Sequence, residues 1–198
     1  MTPKTTFGNE QFVQRERLGQ VILGWKDGNQ KGFANILNYY CPPPAVVVDL
    51  MAGPKNFYKL LQNDLNGNSY NFVFGDIIHN KTNHITGDMR FCPLKSGSAD
   101  CVIFDPPWPS TSGTLADMLL KYHPMTKEDF EGFMNLARPE AERILKPNGY
   151  LIFKGKSPYT HHFYHETSLK WIRDIPSISV MRGVYLPVYF MIFRKMEA

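Results

Sequence analysis

An α/β fold built on a doubly wound, mainly parallel sheet is what this sequence predicts. Short β-branched or aromatic runs alternate with stretches whose apolar residues recur at helical spacing. Two strand-like runs then close the chain with no helical pattern between them. Four of the runs end at an aspartate, directly or one glycine short of it. In sheets of this kind ligands bind beyond the carboxyl ends of the strands.

The 198 residues are most simply one domain, with 1–44 as a helical extension and 45–198 holding the sheet and its helices. From Asn9 to Tyr40 the chain is polar with scattered apolar residues, among them Phe12, Leu18, Phe33, Ile36 and Leu37. That pattern predicts two short helices broken around Asp27-Gly28-Asn29 and packed outside the sheet. Cys41-Pro42-Pro43-Pro44 stops any helix. Ala45-Val46-Val47-Val48 is fully apolar, as a strand buried on both faces should be. Phe57, Leu60, Leu61 and Leu65 predict a helix that Asn66-Gly67-Asn68 ends.

Asn71-Phe72-Val73-Phe74 is the second strand, Ile85-Thr86 a weak third and Cys101 to Phe104 a strong fourth. A helix begins near Thr126, which stands at capping-box spacing from Asp129. Its stripe is Phe130, Phe133, Met134, Ala137, Ala141, Ile144 and Leu145, with a kink expected at Pro139. Lys146-Pro147-Asn148-Gly149 turns into a fifth strand, Tyr150 to Phe153. Ser168 to Ile172 reads as a short helix, and Ser177 to Met181 with Val188 to Phe193 as the closing strands, giving seven in all.

Composition is ordinary for a globular chain, with 43% hydrophobic and 20% charged residues. No apolar segment approaches the roughly 20 residues of a membrane-spanning helix, and Met1-Thr2-Pro3-Lys4 lacks the apolar block of a secretory signal. Cys41, Cys92 and Cys101 are odd in number and without metal-type spacing, so a reducing, cytoplasmic setting is expected. A net charge of +4 tolerates a polyanionic partner without demanding one.

The chemistry concentrates on the strand-end acids. Asp105-Pro106-Pro107-Trp108 follows a buried strand and delivers a carboxylate, a rigid turn and an aromatic face to one edge of the sheet. Proline fixes φ, carries no N–H and restricts the residue before it, so carbonyls without ladder partners point where a ligand amine could meet them. Asp49 opens Asp49-Leu50-Met51-Ala52-Gly53, where small residues let a ligand approach the backbone. Asp76 lies a strand-helix-strand distance later, where an acid accepts from ribose hydroxyls. Asp88 can accept from an adenine amine while Met89 packs on the ring. Any one such aspartate serves equally well as a turn or helix cap. Four in ordered succession are harder to explain that way.

Taken in order, these segments resemble the class I S-adenosylmethionine-dependent methyltransferases of the amino-methyltransferase branch. Val46 to Gly53 resembles the cofactor motif, Asp76 the ribose acid, and Gly87-Asp88-Met89-Arg90 the adenine-contacting segment. Phe91-Cys92-Pro93-Leu94 and Ser98-Ala99-Asp100 resemble the bridge into the fourth strand, and Leu145 to Tyr150 the entry to the fifth. Asp105 to Trp108 resembles the motif of enzymes that methylate exocyclic base amines. The resemblance implies a Rossmann-like fold, an antiparallel closing strand, and S-adenosyl-L-methionine held by Asp49, Met51, Ala52, Gly53, Asp76, Asp88 and Met89. It implies catalysis by Asp105, Pro106, Pro107 and Trp108. One position departs from the pattern. The cofactor loop usually carries a second glycine two residues after the first, where this chain has Lys55. An outward-pointing lysine on a slightly wider loop is expected, with weaker binding.

The expected reaction is methylation of a nucleobase amine, first adenine N6 in DNA. RNA adenine N6 or guanine N2, a small-molecule amine, and a degenerate binding subunit are the alternatives. A nucleic-acid partner, no membrane, and a monomer or weak homodimer go with that reading. His161, His162 and His165 lie close together but lack a further ligand for a metal. Lys154, Lys156, His161, His162, Lys170 and Arg173, interleaved with aromatic residues, form a basic-aromatic run that suits phosphates and bases or, equally, an ordinary core face with snorkelling lysines. The polar loop Pro109 to Thr114 could close over a substrate or simply connect two elements.

Overall fold

The computed structural model describes residues 28–61, 70–107, 125–155, 168–181 and 184–197. Seven strands form one sheet: β1 (Val46–Asp49), β2 (Asn71–Asp76), β3 (Ile85–Thr86), β4 (Ala99–Phe104), β5 (Leu145–Gly155), β6 (Leu169–Met181) and β7 (Val184–Lys195). Their spatial order is β3-β2-β1-β4-β5-β7-β6. The first five run parallel, and β7 enters antiparallel between β5 and β6. The order reverses at β1, which places a crevice between the carboxyl ends of β1 and β4.

Side chains alternate along each strand, and the two faces build separate cores. On one face Val48, Val102, Phe104, Leu151, Phe153 and Phe193 pack against helix α2 (Lys127–Ile144) through Phe130, Phe133, Met134, Ala137, Ala141 and Ile144. On the other, Val47, Phe74, Cys101, Ile103, Ile152, Phe190 and Ile192 pack against Phe33, Ile36 and Leu37 of helix α1 (Gly28–Tyr40). The doubly wound arrangement expected from the sequence is therefore present.

Helix α2 starts where its cap is. Thr126 Oγ1 accepts from the Asp129 N–H at 3.1 Å and donates to the Asp129 carboxylate at 2.8 Å, so aspartate serves as the reciprocal partner. The helix runs unbroken across Pro139, an exposed residue. At its other end Lys195 Nζ donates to the carbonyls of Glu142 and Leu145 at 2.7 and 2.9 Å, satisfying acceptors that have no partner inside the helix.

Three local expectations need correction. Ser168 to Ile172 is not a helix: β6 begins at Leu169 and pairs with β7 from Leu169↔Lys195 onward. Five residues cannot separate the two periods, and the ladder with β7 decides between them. A register shift between Trp171 and Arg173 and a proline at 176 are both tolerated because β6 is the sheet edge. The helix expected from Phe57 is a five-residue 3-10 turn over Asn56–Leu60 among the described residues, with Leu60 54% exposed rather than on a buried stripe. Its expected end, Leu65 to Asn68, lies outside the described residues, as does the first of the two N-terminal helices. Lys146 to Gly149, expected as a turn before strand five, is carried inside β5. There the pairing jumps from Ala99↔Leu145 to Cys101↔Tyr150 and Asn148 takes φ 65°.

Among the described residues no helix is long and apolar enough to cross a membrane. The three cysteines are free and buried.

Candidate active site

The carboxyl edge gathers its acids by register. Asp49 ends β1 opposite Phe74, so Asp76 stands two residues further along β2. Val48 pairs with Val102, so Asp105 likewise stands two residues beyond the level of Asp49 on β4. Neighbouring strands lie about 4.8 Å apart. Asp49 is thus the floor of a trough, with Asp76 and Asp105 on its two rims. Period-2 alternation from Val47, Phe74, Ile103 and Ile152 puts Asp49, Asp76, Asp105 and Lys154 on one face, that of α1 and the 3-10 turn.

Asp49 is 3% exposed. Its Oδ2 accepts from the Tyr58 hydroxyl at 2.7 Å and its Oδ1 from the Met51 N–H at 2.9 Å. Burial nevertheless pushes its pKa up to about 7; the two hydrogen bonds oppose the shift, while the charges of Asp105 and Asp76 add to it. The Tyr58 hydroxyl, fully buried beside a carboxylate, is held well above its usual range by the same desolvation. Tyr58 was not legible as a site residue, because nothing along the chain ties it to Asp49.

Asp76 closes the β1 loop. Its Oδ2 accepts from the Gly53 N–H at 3.0 Å and its Oδ1 from the Ile78 N–H at 3.0 Å, while the Ala52 N–H donates to the Gly75 carbonyl at 3.0 Å. Each carboxylate oxygen has a second lone pair, so acceptor capacity for hydroxyls remains. Gly75 keeps the strands close: a Cβ there would meet Leu50 at 2.6 Å and the Ile85 carbonyl at 3.2 Å. Gly53 has φ 48° and open space where a side chain would be, a cradle of the kind that lets a ligand reach the backbone.

Lys55 also lies in the left-handed region, at φ 56°. The expected outward lysine is instead turned across the end of β2. Its Nζ donates to the Thr82 carbonyl and hydroxyl at 2.5 and 2.6 Å and lies 4.9 Å from the centre of the Phe74 ring.

Asp88 and Met89 follow β3, but their side chains are already engaged. Asp88 caps a 3-10 turn over Met89–Phe91 by accepting from the Arg90 N–H and holds the Arg90 guanidinium at 2.5–3.0 Å. Those bonds keep its carboxyl below the usual range and leave less capacity for an adenine amine than the sequence suggested. Met89 is 3% exposed and belongs to the core shared with α2.

Asp105 is partly buried, and Lys154 from β5 donates to its Oδ2 at 2.9 Å. The same ammonium lies 4.5 Å from the centre of the Phe57 ring. The pair arises because Phe104 faces Phe153 across the β4–β5 ladder, which sets the next residues side by side. One partner fixes one carboxylate oxygen, and among the described residues nothing donates to Oδ1. Pro106 is buried and Pro107 half-buried. Trp108 and the loop Pro109 to Thr114 lie outside the described residues, as do His161, His162 and His165. Along the sequence Lys154 belongs to one basic run with Lys170 and Arg173. The structure separates them, since Lys154 faces Asp105, Phe153 is buried in the core, and Lys170 and Arg173 sit on the edge strand β6.

Neither a family model nor a curated protein matches the sequence. Solved structures do. TrmN from Thermus thermophilus superposes with a TM-score of 0.60 at 15% identity, covering 84% of this chain and 49% of that one. A 1,6-didemethyltoxoflavin-N1-methyltransferase from Burkholderia thailandensis, bound to 1,6-didemethyltoxoflavin and S-adenosylhomocysteine, gives 0.59 at 12% identity over 100% of this chain and 92% of that one. A SAM-dependent methyltransferase from Methanosarcina mazei gives 0.54 at 13% identity, with 81% and 97% covered. The fold is that of the SAM-dependent methyltransferases. Its mainly parallel seven-stranded sheet and antiparallel closing strand are the features expected from the sequence.

Proposed function

We propose that this protein is an S-adenosylmethionine-dependent methyltransferase acting on the exocyclic amine of a nucleobase, with adenine N6 in DNA as the first target and RNA adenine or guanine amines next. One observation carries the reading: strand register sets Asp49, Asp76 and Asp105 on one face at the carboxyl edge of adjacent strands, with Asp105 held by Lys154 at the head of a proline-stiffened turn. The residues present fit the cofactor. Gly53 offers an open backbone cradle, Asp76 keeps lone pairs for ribose hydroxyls, and the buried Asp49 supports the loop that carries Met51 and Ala52. Asp88 and Met89 mark where an adenine would end. When bound, the cofactor supplies an electrophilic methyl group on a sulfonium.

A base amine is a poor nucleophile because its lone pair is delocalised into the ring. Asp105 Oδ1 and the Pro106 carbonyl accept its two hydrogens and hold the nitrogen toward tetrahedral geometry. Trp108 stacks on the base and fixes its plane. Catalysis on this reading is positioning and electrostatics; a strong base is unnecessary, because the proton leaves after the nitrogen has become cationic. A base in a duplex is first flipped out of its stack. Aspartate at the head of the motif favours base amines over a protein amide, where the resembling enzymes typically carry asparagine.

Transfer of a labelled methyl group to DNA, RNA, nucleosides and small amines, with mass identification of the product, tests the assignment. Label on an exocyclic base amine is expected; label appearing on none of these acceptors overturns it. Lys55→Gly bears on the cofactor loop alone. Removing a side chain from a left-handed residue relieves roughly 1 kcal/mol of strain and frees the loop from Thr82. Calorimetry should show tighter S-adenosylmethionine binding by several-fold; weaker binding would assign Lys55 a supporting role in the site, and unchanged binding would show that the departure at this position does not affect the cofactor.

A further inference from the structure

Beside the acid-lined edge lies a second cleft, of ≈ 410 Å³, lined by Pro54, Lys55, Lys59, Phe74, Thr82 and His84. Among the described residues no carboxylate lines it, the four strand-end acids included. Its volume is within the range of small-molecule sites. We infer that this cleft binds a phosphate group, most simply one belonging to the backbone of the nucleic-acid target.

The donors are oriented rather than merely present. His84 Nδ1 accepts from the Phe74 N–H at 3.0 Å. In a neutral imidazole the hydrogen must then sit on Nε2, so the exposed end of the ring is a donor. The ring lies nearly parallel to Phe74, 14° apart with centroids at 6.1 Å, which fixes the direction of that N–H. Lys55 Nζ uses two of its three hydrogens on Thr82 and has one left. Lys59, exposed on the 3-10 turn, supplies a second ammonium.

These donors come from three separate segments, the β1 loop, the 3-10 turn and the β2–β3 loop. Two ammonium groups and a ring N–H on one cleft, with no described carboxylate among them, suit an oxyanion such as phosphate. A planar carboxylate is better matched by the two-pronged fork of an arginine, and among the described residues no arginine lines the cleft. Pro54, exposed at the rim, gives an apolar contact for a sugar, while Phe74 is buried beneath His84 and Lys55 and serves to hold those donors in place. The left-handed Lys55 thereby acquires a use that a glycine at that position could not supply.

Assignment of the phosphate to a polynucleotide target rests on the reading proposed above; the phosphate chemistry itself does not. The test therefore uses binding without cofactor or turnover. Labelled DNA and RNA strands are titrated onto the full chain at several salt concentrations, with inorganic phosphate and mononucleotides as competitors. Lys59→Gln, and more strongly the Lys55→Gln/Lys59→Gln double variant, should weaken strand binding about equally for all sequences. Each lost phosphate contact should flatten the logarithmic salt dependence by about 1. Lys59→Arg should restore binding, and Lys95→Gln, on the exposed β3–β4 connection, should change nothing. If mononucleotides or phosphate show the Lys59 dependence and strands do not, the cleft is a phosphate site for a free ligand and its link to a polynucleotide is overturned. If neither responds to the double variant, the phosphate assignment itself is wrong. Loss of methyl transfer with Lys59-dependent strand binding intact would instead count against the catalytic reading alone.

Discussion

Asp105→Ala is expected to lower methyl-transfer kcat by roughly 10²–10³-fold, the usual worth of one polar group aimed at developing charge in a water-poor site. The affinity for S-adenosylmethionine should stay close to wild type. The two effects separate because Asp105 directly follows β4, on the opposite rim of the trough from Gly53 and Asp76. Single-turnover transfer of labelled methyl reads the first, and calorimetry the second. Wild-type turnover in the alanine variant would remove Asp105 from the chemistry.

Asp105→Asn refines the result. An amide keeps one acceptor for the amine but loses the charge that Lys154 pairs with at 2.9 Å, so an intermediate rate is expected. Lys154→Met should also slow transfer, by less, because it frees the orientation of Oδ2 without removing the acceptor. Groups that act as one unit are not additive. The Asp105→Ala/Lys154→Met double variant should therefore be no slower than Asp105→Ala. A multiplicative loss would show that Lys154 contributes separately, for example by touching the substrate.

The strand-end acids were legible because two simple regularities coincide on them. A buried parallel strand reads as an unbroken apolar run, and an acid at its end must lie on the ligand-binding edge whatever the loops do. What stayed hidden depends on register. Lys154 reads as part of a basic run until β4–β5 pairing sets it beside Asp105, and Tyr58 reads as an ordinary aromatic until folding carries its hydroxyl to Asp49. Asp88 shows the converse. Arg90, two residues away, is near enough to take its carboxylate locally. The error at Ser168 to Ile172 has the same root, since a five-residue segment on the sheet edge takes its conformation from its partner strand.

Asp49 predicts the largest pH effect on stability. Its carboxyl titrates at about 7 in the folded protein against an ordinary value of 3.8, so the fold favours the protonated form. Below about pH 4 both folded and unfolded chains carry the proton and the preference is fully retained. As pH rises toward 7 the unfolded chain ionises freely while the folded one resists, and the stabilisation is lost progressively. At pH 8 the loss is complete and amounts to a few kcal/mol, on the order of 4 at most. Asp49→Asn removes the titration: its amide oxygen can keep the Met51 N–H, and its NH₂ can donate to the Tyr58 oxygen. Tyr58 then loses its acceptor, a penalty that does not vary with pH. Across pH 4 to 8 the difference in unfolding free energy between variant and wild type should therefore climb in favour of the variant. Chemical denaturation at each pH measures that slope, independently of where the curve starts. A flat difference would mean that water or a counter-charge reaches Asp49 in solution, and the floor of the trough would then be wet and open to ligand before any cofactor arrives.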